Sequence, residues 1–168
     1  YAEVEKLLAE GTRRDSTDAS FYRLLGRMRF KELDFERAAE ALTRSVALDS
    51  TDAATYIDLA QVGMKRRDYA AAEAAARRAV ALDEFAKEAH FVRSNALKRL
   101  GRREESREVL ERFRAIDQQL DKIEDQLRML GNEPGDHEAR AQLGLLYTQQ
   151  GRFAEAAEAY RLAARIAP

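Results

Sequence analysis

A fixed period of 34 residues runs through this chain of 168 residues. Four aspartates mark it, each 34 residues after the one before: Asp15, Asp49, Asp83 and Asp117. Other columns on the same spacing hold Leu48, Leu82 and Ile116, then Tyr22, Tyr56 and His90, then Gly26, Ala60 and Ser94, then Ala38, Ala72 and Ser106. A period of this length indicates that one supersecondary unit is copied and stacked. Because each unit contacts mainly its neighbours, we expect function on an extended surface rather than in one catalytic pocket.

Each unit has the pattern of two amphipathic helices joined by a short turn. In the unit that follows Asp18, apolar residues recur in both halves, namely Tyr22, Leu25 and Gly26 in the first and Phe35, Ala38, Leu42 and Val46 in the second. Steps of three and four residues are typical of helices with one buried face. We place the turn between the halves at Leu33-Asp34. Three aspartates that directly precede first helices are predicted N-caps: Asp18, Asp52 and Asp136.

Small residues occupy the places where the two helices of a unit are expected to cross closely. They are Gly26, Ala60, Ser94 and Gly144 in first helices, and Ala38, Ala72 and Ala156 in second helices. Larger side chains there would push the two helices apart, because protein interiors are close-packed.

These residues resemble the tetratricopeptide repeat family, whose 34-residue helix–turn–helix unit has a Leu-Gly pair in the first helix and two alanines in the second. The best matches are Leu25, Gly26, Ala38 and Leu42, then Leu143, Gly144, Tyr147, Gly151, Phe153, Ala156, Tyr160, Ala163 and Pro168. The third unit differs most from the family pattern. At positions that are typical of the family it has His90, Arg93, Arg103, Ser106 and Phe113. The resemblance implies an all-α fold, a right-handed α-solenoid (superhelix) of helix–turn–helix repeats.

We divide the chain as a single repeat array over residues 1–168. Its parts are the second helix of a partial repeat at 1–18, repeats at 19–52 and 53–86, a degenerate repeat at 87–120, an inserted helix extension and loop at 121–136, and a repeat at 137–168. The partial repeat leaves the face of Val4, Leu7 and Leu8 without a partner helix. We therefore expect the natural protein to extend N-terminally of Tyr1, unless another element covers that face. A continuation beyond Pro168 is also open.

The period breaks once, because the step from the third unit to the fourth is 50 residues. No glycine or proline occurs from Arg102 to Leu130, which predicts one helix of about 28 residues, roughly 42 Å long. We expect Gly131 to end this helix as a C-cap, with a turn over residues 132–135.

An apolar heptad pattern follows this long helix at alternating steps of four and three: Val109, Phe113, Ile116, Leu120, Ile123, Leu127 and Leu130. Such a seam is typical of helices that pack lengthwise against others. Three interpretations are open. The seam covers the fourth unit as part of the core, it mediates self-association into a homo-oligomer, or it is a docking rail for another protein.

The resemblance also implies a binding surface, since first helices in this family line a concave groove that holds an extended peptide or a partner helix. The implied lining is Arg23, Arg27, Phe30 and Lys31, then Ile57, Gln61, Met64 and Lys65, then Phe91, Asn95, Lys98 and Arg99, then Leu145 and Thr148. Apolar residues flanked by cations suit a partner with apolar anchors and acidic flanks. The alternative is that Phe30, Ile57, Met64 and Phe91 pack locally against the next unit.

One subtype of groove is disfavoured by the sequence. Members of the family that bind chaperones clamp a C-terminal carboxylate with paired Lys and Asn residues. The comparable places here hold Arg23 and Arg27, then Asp58 and Gln61, then Glu88. Asp58 and Glu88 would repel a carboxylate.

Composition and motifs argue against other functions. The net charge is −1, and the basic clusters at residues 65–67 and 98–103 lie at helix ends, where the helix dipole favours cations. We therefore expect no nucleic-acid partner. No apolar run is long enough for a membrane span. The absence of cysteine removes thiolate metal sites and cysteine nucleophiles. His90 is expected to pack at the core edge, and no metal, cofactor or catalytic motif is recognised.

The sequence therefore predicts a non-catalytic scaffold or adaptor for protein–protein interaction. Two alternatives are open: the recruiting arm of a larger enzyme or complex, and a self-assembling structural protein that uses the 109–130 seam. The excess of arginine over lysine and the abundance of alanine favour a bacterial source, and neither cytoplasm nor periplasm is preferred.

Overall fold

A computed structural model describes residues 17–167, and all the regular secondary structure of this part of the chain is α-helical. The helices are α1 (Ala19–Lys31), α2 (Phe35–Leu48), α3 (Ala53–Lys65), α4 (Tyr69–Leu82), α5 (Lys87–Arg99), α6 (Arg103–Asn132), α7 (His137–Gln149) and α8 (Phe153–Ile166). The predicted all-α repeat fold is confirmed. The predicted helix of a partial repeat, with Val4, Leu7 and Leu8, lies outside the described residues.

The chain forms two compact units that meet in sequence at Arg112 and Phe113. The first unit contains α1 to α5 and the beginning of α6. The second contains the rest of α6 together with α7 and α8. In the first unit the helices pack in serial order: α1 on α2, α2 on α3, α3 on α4 and α4 on α5. The first helices α1, α3 and α5 also contact one another in turn.

A stripe on each second helix holds successive repeats of the first unit together. Leu42 of α2 is completely buried, and it shares a core with Val62 and Leu59 of α3. In the next pair, Ala76 of α4 packs with Val92 of α5. The burial of apolar surface between one repeat and the next is thus what stabilises the array.

Aspartates cap the N-terminal ends of five of the described helices, as the sequence predicted for three of them. Asp18, Asp52 and Asp136 each accept a backbone N–H from the first turn of their helix, at 2.9 to 3.0 Å. Asp34 and Asp68 do the same for the second helices α2 and α4. The third repeat has Ala86 at this column, and its side chain makes no capping hydrogen bond.

The turn inside each repeat uses one residue in the left-handed region of backbone space. These residues share a column of the sequence: Leu33 (φ 64°), Arg67 (φ 61°), Gly101 (φ 79°) and Gly151 (φ 67°). A left-handed conformation costs a non-glycine residue roughly 1–2 kcal/mol because its Cβ crowds the backbone. Repeats one and two therefore carry strain that repeats three and four avoid.

Close approach of the paired helices is visible at the small residues. A Cβ added to Gly26 would lie 2.5 Å from Cγ of Leu42, and one added to Gly144 would lie 2.9 Å from the ring of Tyr160. In the third repeat, hydroxyls take the place of apolar contact. Ser94 Oγ donates to the Ser106 carbonyl at 3.1 Å, and Ser106 Oγ donates to the Ser94 carbonyl at 2.9 Å. Both serines are buried.

The predicted end of the long helix is wrong in detail. Gly131 is not a C-cap, because α6 continues through it to Asn132 and Glu133 N–H still donates to the Met129 carbonyl at 2.9 Å. Pro134 explains the stop, since a proline disfavours helical geometry in the residue before it. The turn closes with Asp136 N–H donating to the Glu133 carbonyl.

One interface between repeats contains a buried ion pair. Glu73 of α4 is 5% exposed and lies 3.2 Å from Nε of Arg93 on α5. The preceding interface has Ala39 and Leu59 at the same two columns, and both pack in its apolar core. The charged pair thus replaces an apolar contact. A buried carboxylate is tolerated only when it is paired.

Substitutions at two of the left-handed turn residues should change the stability of the chain in opposite directions. Leu33 is 73% exposed, so Leu33→Gly loses little packing and relieves strain. We expect it to stabilise the chain by about 0.5–1 kcal/mol, whereas Gly101→Ala should destabilise it by about 1 kcal/mol. A Cβ at Gly101 would meet nothing within 4 Å, so only backbone strain is added. Urea unfolding measures both free energies of unfolding. If both variants lose the same stability, Leu33 does not carry the proposed backbone strain.

The ion pair predicts a non-additive response. Arg93→Leu leaves the Glu73 carboxylate buried without its nearest partner, so we expect a loss of about 3 kcal/mol in unfolding free energy. The double variant Glu73→Ala/Arg93→Leu has the same residues at these two positions as the preceding interface, Ala39 and Leu59. It should recover the lost free energy of unfolding. Urea unfolding of both variants and of Glu73→Ala completes the cycle. Additive effects of the two single changes would contradict the pairing.

Candidate functional site

The predicted binding residues of the first unit lie on α1, α3 and α5, which are neighbours in space. We call this surface the first-helix face; it comprises Arg23, Arg27, Phe30 and Lys31 of α1, Ile57, Gln61, Met64 and Lys65 of α3, and Phe91, Asn95, Lys98 and Arg99 of α5. The surface spans three helices because successive first helices contact one another.

A cleft of about 300 Å³ opens between α1 and α3. Its lining is Arg27, Phe30, Lys31, Leu42, Asp58, Gln61 and Val62. Leu42 and Val62 are fully buried, so they form an apolar floor. Arg27 and Lys31 are exposed and line one edge. An apolar hollow with a few polar groups at its edge is the usual form of a site that accepts one side chain of a partner.

An ion pair stands beside this cleft. Arg23 Nε donates to Asp58 Oδ2 at 2.9 Å and lies 3.8 Å from Asp52 Oδ2. Burial raises the pKa of Asp58 above its usual range, while the hydrogen bond and positive charge of Arg23 oppose that rise. Because Arg23 is engaged with these carboxylates, the cations that remain exposed at the cleft are Arg27 and Lys31.

The four apolar residues of the first-helix face are not equally available. Phe30 packs beside the Leu42 and Val62 core, with its ring centroid 5.5 Å from that of Phe35 in an edge-to-face contact. Ile57 and Met64 are half-buried beside the cores that follow. Phe91 is 49% exposed. Local packing within and between repeats thus accounts for much of the surface of the first three, and Phe91 keeps the largest exposed fraction.

The polar residues of the first-helix face differ in how far they are buried. Gln61 and Asn95 are half-buried. Apart from Arg27, the exposed cations fall in the last turns of their helices: Lys31 on α1, Lys65 on α3, and Lys98 and Arg99 on α5. The helix dipole stabilises cations at this end. The same residues place positive charge along one side of the face.

Two predicted lining residues, Leu145 and Thr148, belong to α7 in the second unit. Leu145 is 52% exposed. Thr148 is also exposed, and its Oγ1 donates to the Gly144 carbonyl at 2.8 Å.

The predicted association seam is partly buried in the second unit. Ile123 and Leu130 of α6 share a core with Leu143 and Tyr147 of α7. Ile116 is also buried, and Val109, Phe113 and Leu120 are half-buried. Leu127 remains 49% exposed. This packing supports the interpretation in which the seam covers the fourth repeat.

The sequence missed three residues of the cleft. The sequence indicates Asp58 only as a group that repels a carboxylate and Leu42 only as a buried residue, and it does not single out Val62. Asp58 lies one turn before Gln61 on α3, and that spacing could have placed it on the same face. The contribution of Leu42 depends on how α2 packs between α1 and α3, and no pattern within one helix shows it.

Other kinds of site find little support between residues 17 and 167. No group of three or more His, Asp or Glu side chains there is arranged to hold a metal ion. His90 is 4% exposed, and its Nε2 lies 2.9 Å from the Glu84 carbonyl oxygen. Within the same residues, no helix is both long enough and apolar enough to span a bilayer.

Comparison with known proteins agrees with this architecture. The sequence model of the tetratricopeptide repeat family matches residues 57–121 and 126–168, which is more than half of the chain. The chain belongs to the tetratricopeptide repeat family. Among curated protein sequences, none matches it significantly.

Solved structures show the same fold. A crystal structure of MamA is 21% identical with a TM-score of 0.61, and the match covers 95% of this chain and 84% of MamA. The second tetratricopeptide domain of Spaghetti (RPAP3), bound to the HSP90 peptide SRMEEVD, is 28% identical with a TM-score of 0.58, covering 62% of this chain and 97% of that domain. The first domain of Spaghetti, bound to the same peptide, is 22% identical with a TM-score of 0.56, covering 80% and 94%.

The raised pKa of Asp58 predicts a pH-dependent stability. A carboxyl group with a higher pKa in the folded chain stabilises the fold most below its unfolded pKa, and this contribution is lost as pH rises through the folded pKa. Lowering the pH from about 7 to about 4 should therefore shift the stability difference between wild type and Asp58→Asn in favour of wild type.

Asp49 supplies the control for this measurement. The side-chain hydroxyl and backbone N–H of Thr51 lower the pKa of Asp49, so the difference between wild type and Asp49→Asn should shift in the opposite direction. Urea unfolding at both pH values compares the three proteins. If lowering the pH changes both stability differences in the same direction, burial does not raise the pKa of Asp58.

Proposed function

We propose that this chain is a non-catalytic protein–protein interaction module, a scaffold or adaptor that binds a partner peptide or helix on its first-helix face. The observation that carries the proposal is the cleft between α1 and α3. It combines a buried apolar floor, Leu42 and Val62, with an exposed cationic edge, Arg27 and Lys31.

The cleft and its surroundings define the chemistry of the partner. One apolar side chain of the partner enters the cleft beside Phe30, and a second contacts the exposed ring of Phe91. Acidic residues next to these anchors face Arg27, Lys31 and Lys98. Apolar anchors supply most of the affinity, whereas the charges mainly steer association and fix orientation.

The family supports an interaction role of this kind, because tetratricopeptide repeats generally serve as interaction modules. Both Spaghetti domains hold an HSP90 peptide whose sequence combines Met and Val with three acidic residues. For the present chain we propose recognition of side chains instead of a terminal carboxylate. Asp58 places a negative charge at the cleft, and Arg23 is already paired with it.

The peptide SRMEEVD provides a direct test of this proposal. We expect it to bind the chain, and its C-terminally amidated form should bind with a dissociation constant within about twofold, because the acidic side chains carry the electrostatic contacts. Charge reversal at the cleft, Arg27→Glu/Lys31→Glu, should weaken binding at least about tenfold. Titration calorimetry or fluorescence anisotropy measures each dissociation constant.

A matched control separates the cleft from the overall charge. The variant Arg77→Glu/Lys122→Glu also exchanges one exposed arginine and one exposed lysine, but outside the first-helix face. It should bind the peptide like wild type. The proposal fails if both double variants weaken binding equally, if amidation abolishes binding, or if the unmodified peptide does not bind.

A further inference from the structure

One column of the first-helix face holds a cation in each repeat of the first unit. Lys31, Lys65 and Arg99 follow one another at the 34-residue period, and each lies in the last turn of its first helix. All three are exposed. The three first helices each contain 13 residues and contact one another in turn, so these cations lie at the same end of neighbouring helices. We call this set the cation ladder.

The positive charges of the cation ladder are available to a partner. Within residues 17–167, neither Lys31 nor Lys65 forms an ion pair. Arg99 lies over the ring of Tyr69, 6.0 Å from its centroid, and this contact holds the guanidinium without neutralising its charge. The helix dipole favours cations in a last turn, but it does not require one at the same position of each repeat.

The spacing of the cation ladder limits the backbone conformation of an acidic partner. Packed helices lie about 8–10 Å apart, so one step of the ladder is about that long. A β-strand presents one face at every second residue, about 7 Å apart, which is shorter than this step. A polyproline II segment presents one face at every third residue, about 9.3 Å apart, which matches the step. An α-helix also matches, but only at every seventh residue, about 10.5 Å apart.

Two amide side chains beside the cation ladder favour the extended backbone over the helix. Gln61 and Asn95 share the column one turn before Lys65 and Arg99, and both are half-buried. Neither side-chain amide makes a hydrogen bond within the part of the chain that the structure describes. Each offers both donors and an acceptor. A polyproline II backbone has no internal hydrogen bonds, so its peptide groups can bond to these amides, whereas the backbone of a helix is already paired internally.

We propose that the first-helix face recognises an extended segment in the polyproline II conformation with an acidic residue at every third position. Three successive acidic residues of this segment pair with Lys31, Lys65 and Arg99, and apolar residues between them face the cleft and Phe91. This inference rests on the proposed function, because it defines the sequence of a partner that binds the same face. Charge complementarity selects an acidic segment, and the repeat spacing selects the positions of its charges.

Two peptides of identical composition test the spacing. In acetyl-GEPMEPVEPG-amide the glutamates stand at every third position, whereas in acetyl-GEEEPMPVPG-amide they are adjacent. We expect the first peptide to bind at least about fivefold more tightly, because only its glutamates meet all three cations at once. Titration calorimetry at low salt measures both dissociation constants, since salt screens exposed charges.

Single exchanges test which glutamate meets which cation. Replacing the central glutamate of the first peptide by glutamine should weaken its binding to the wild type about two- to fivefold, but it should have no further effect on Lys65→Gln. Lys31→Gln and Arg99→Gln should each couple in this way to a different outer glutamate. Lys122→Gln, at an exposed lysine of α6, is the control and should couple to none of them. Because all four side chains are exposed, each variant should keep the helix content of the wild type.

The possible failures can be told apart. Equal affinity for the two peptides would overturn the spacing while leaving the binding face intact, and so would equal coupling of Lys65 to all three glutamates. Tighter binding of an alanine-based helical peptide with glutamates at every seventh position would make a helix the occupant. If neither peptide binds and SRMEEVD does not bind either, the proposed function fails and the spacing fails with it.

Discussion

The packing of each second helix against the first helix of the next repeat is the interaction on which the first unit depends. Leu42 of α2 is completely buried there, and it shares its core with Val62 of α3. A single repeat could not exclude water from such a side chain. The cleft between α1 and α3 follows from the same contact, because Leu42 and Val62 form its floor. The stabilising contact and the proposed recognition site therefore share residues.

The period and the local patterns predicted the secondary structure of the described residues closely. Asp, Gly and Ala at repeating positions predicted the N-caps and the helix crossings. These features are predictable because capping and close approach depend on one residue and its immediate neighbours. The predicted C-cap at Gly131 is wrong. A glycine near the end of a helical pattern often takes the left-handed conformation, but here the helix continues one residue further to Asn132 and stops before Pro134.

The candidate site was less predictable, for a physical reason. The family resemblance implied the residues of the first-helix face, but it did not indicate which of them are buried and which are exposed. Phe30 and Met64 proved to be half-buried beside cores that include residues of other helices, whereas Phe91 is exposed. Asp58 acquires its role at the cleft from Arg23, which lies 35 residues away in sequence. Such pairings depend on the packing between repeats.

The Glu73–Arg93 pair has a consequence for how this gene could change by duplication or shuffling of its modules. A copy of α3 and α4 inserted before α7 would bring Glu73 opposite Leu143, the residue at the column of Arg93 in the last repeat. The carboxylate would then lose the guanidinium of Arg93, its nearest partner. An apolar array tolerates reordering because its interfaces are interchangeable, but one charged pair makes two neighbours specific for each other. Exchanging the order of the second and third modules would therefore destabilise the array.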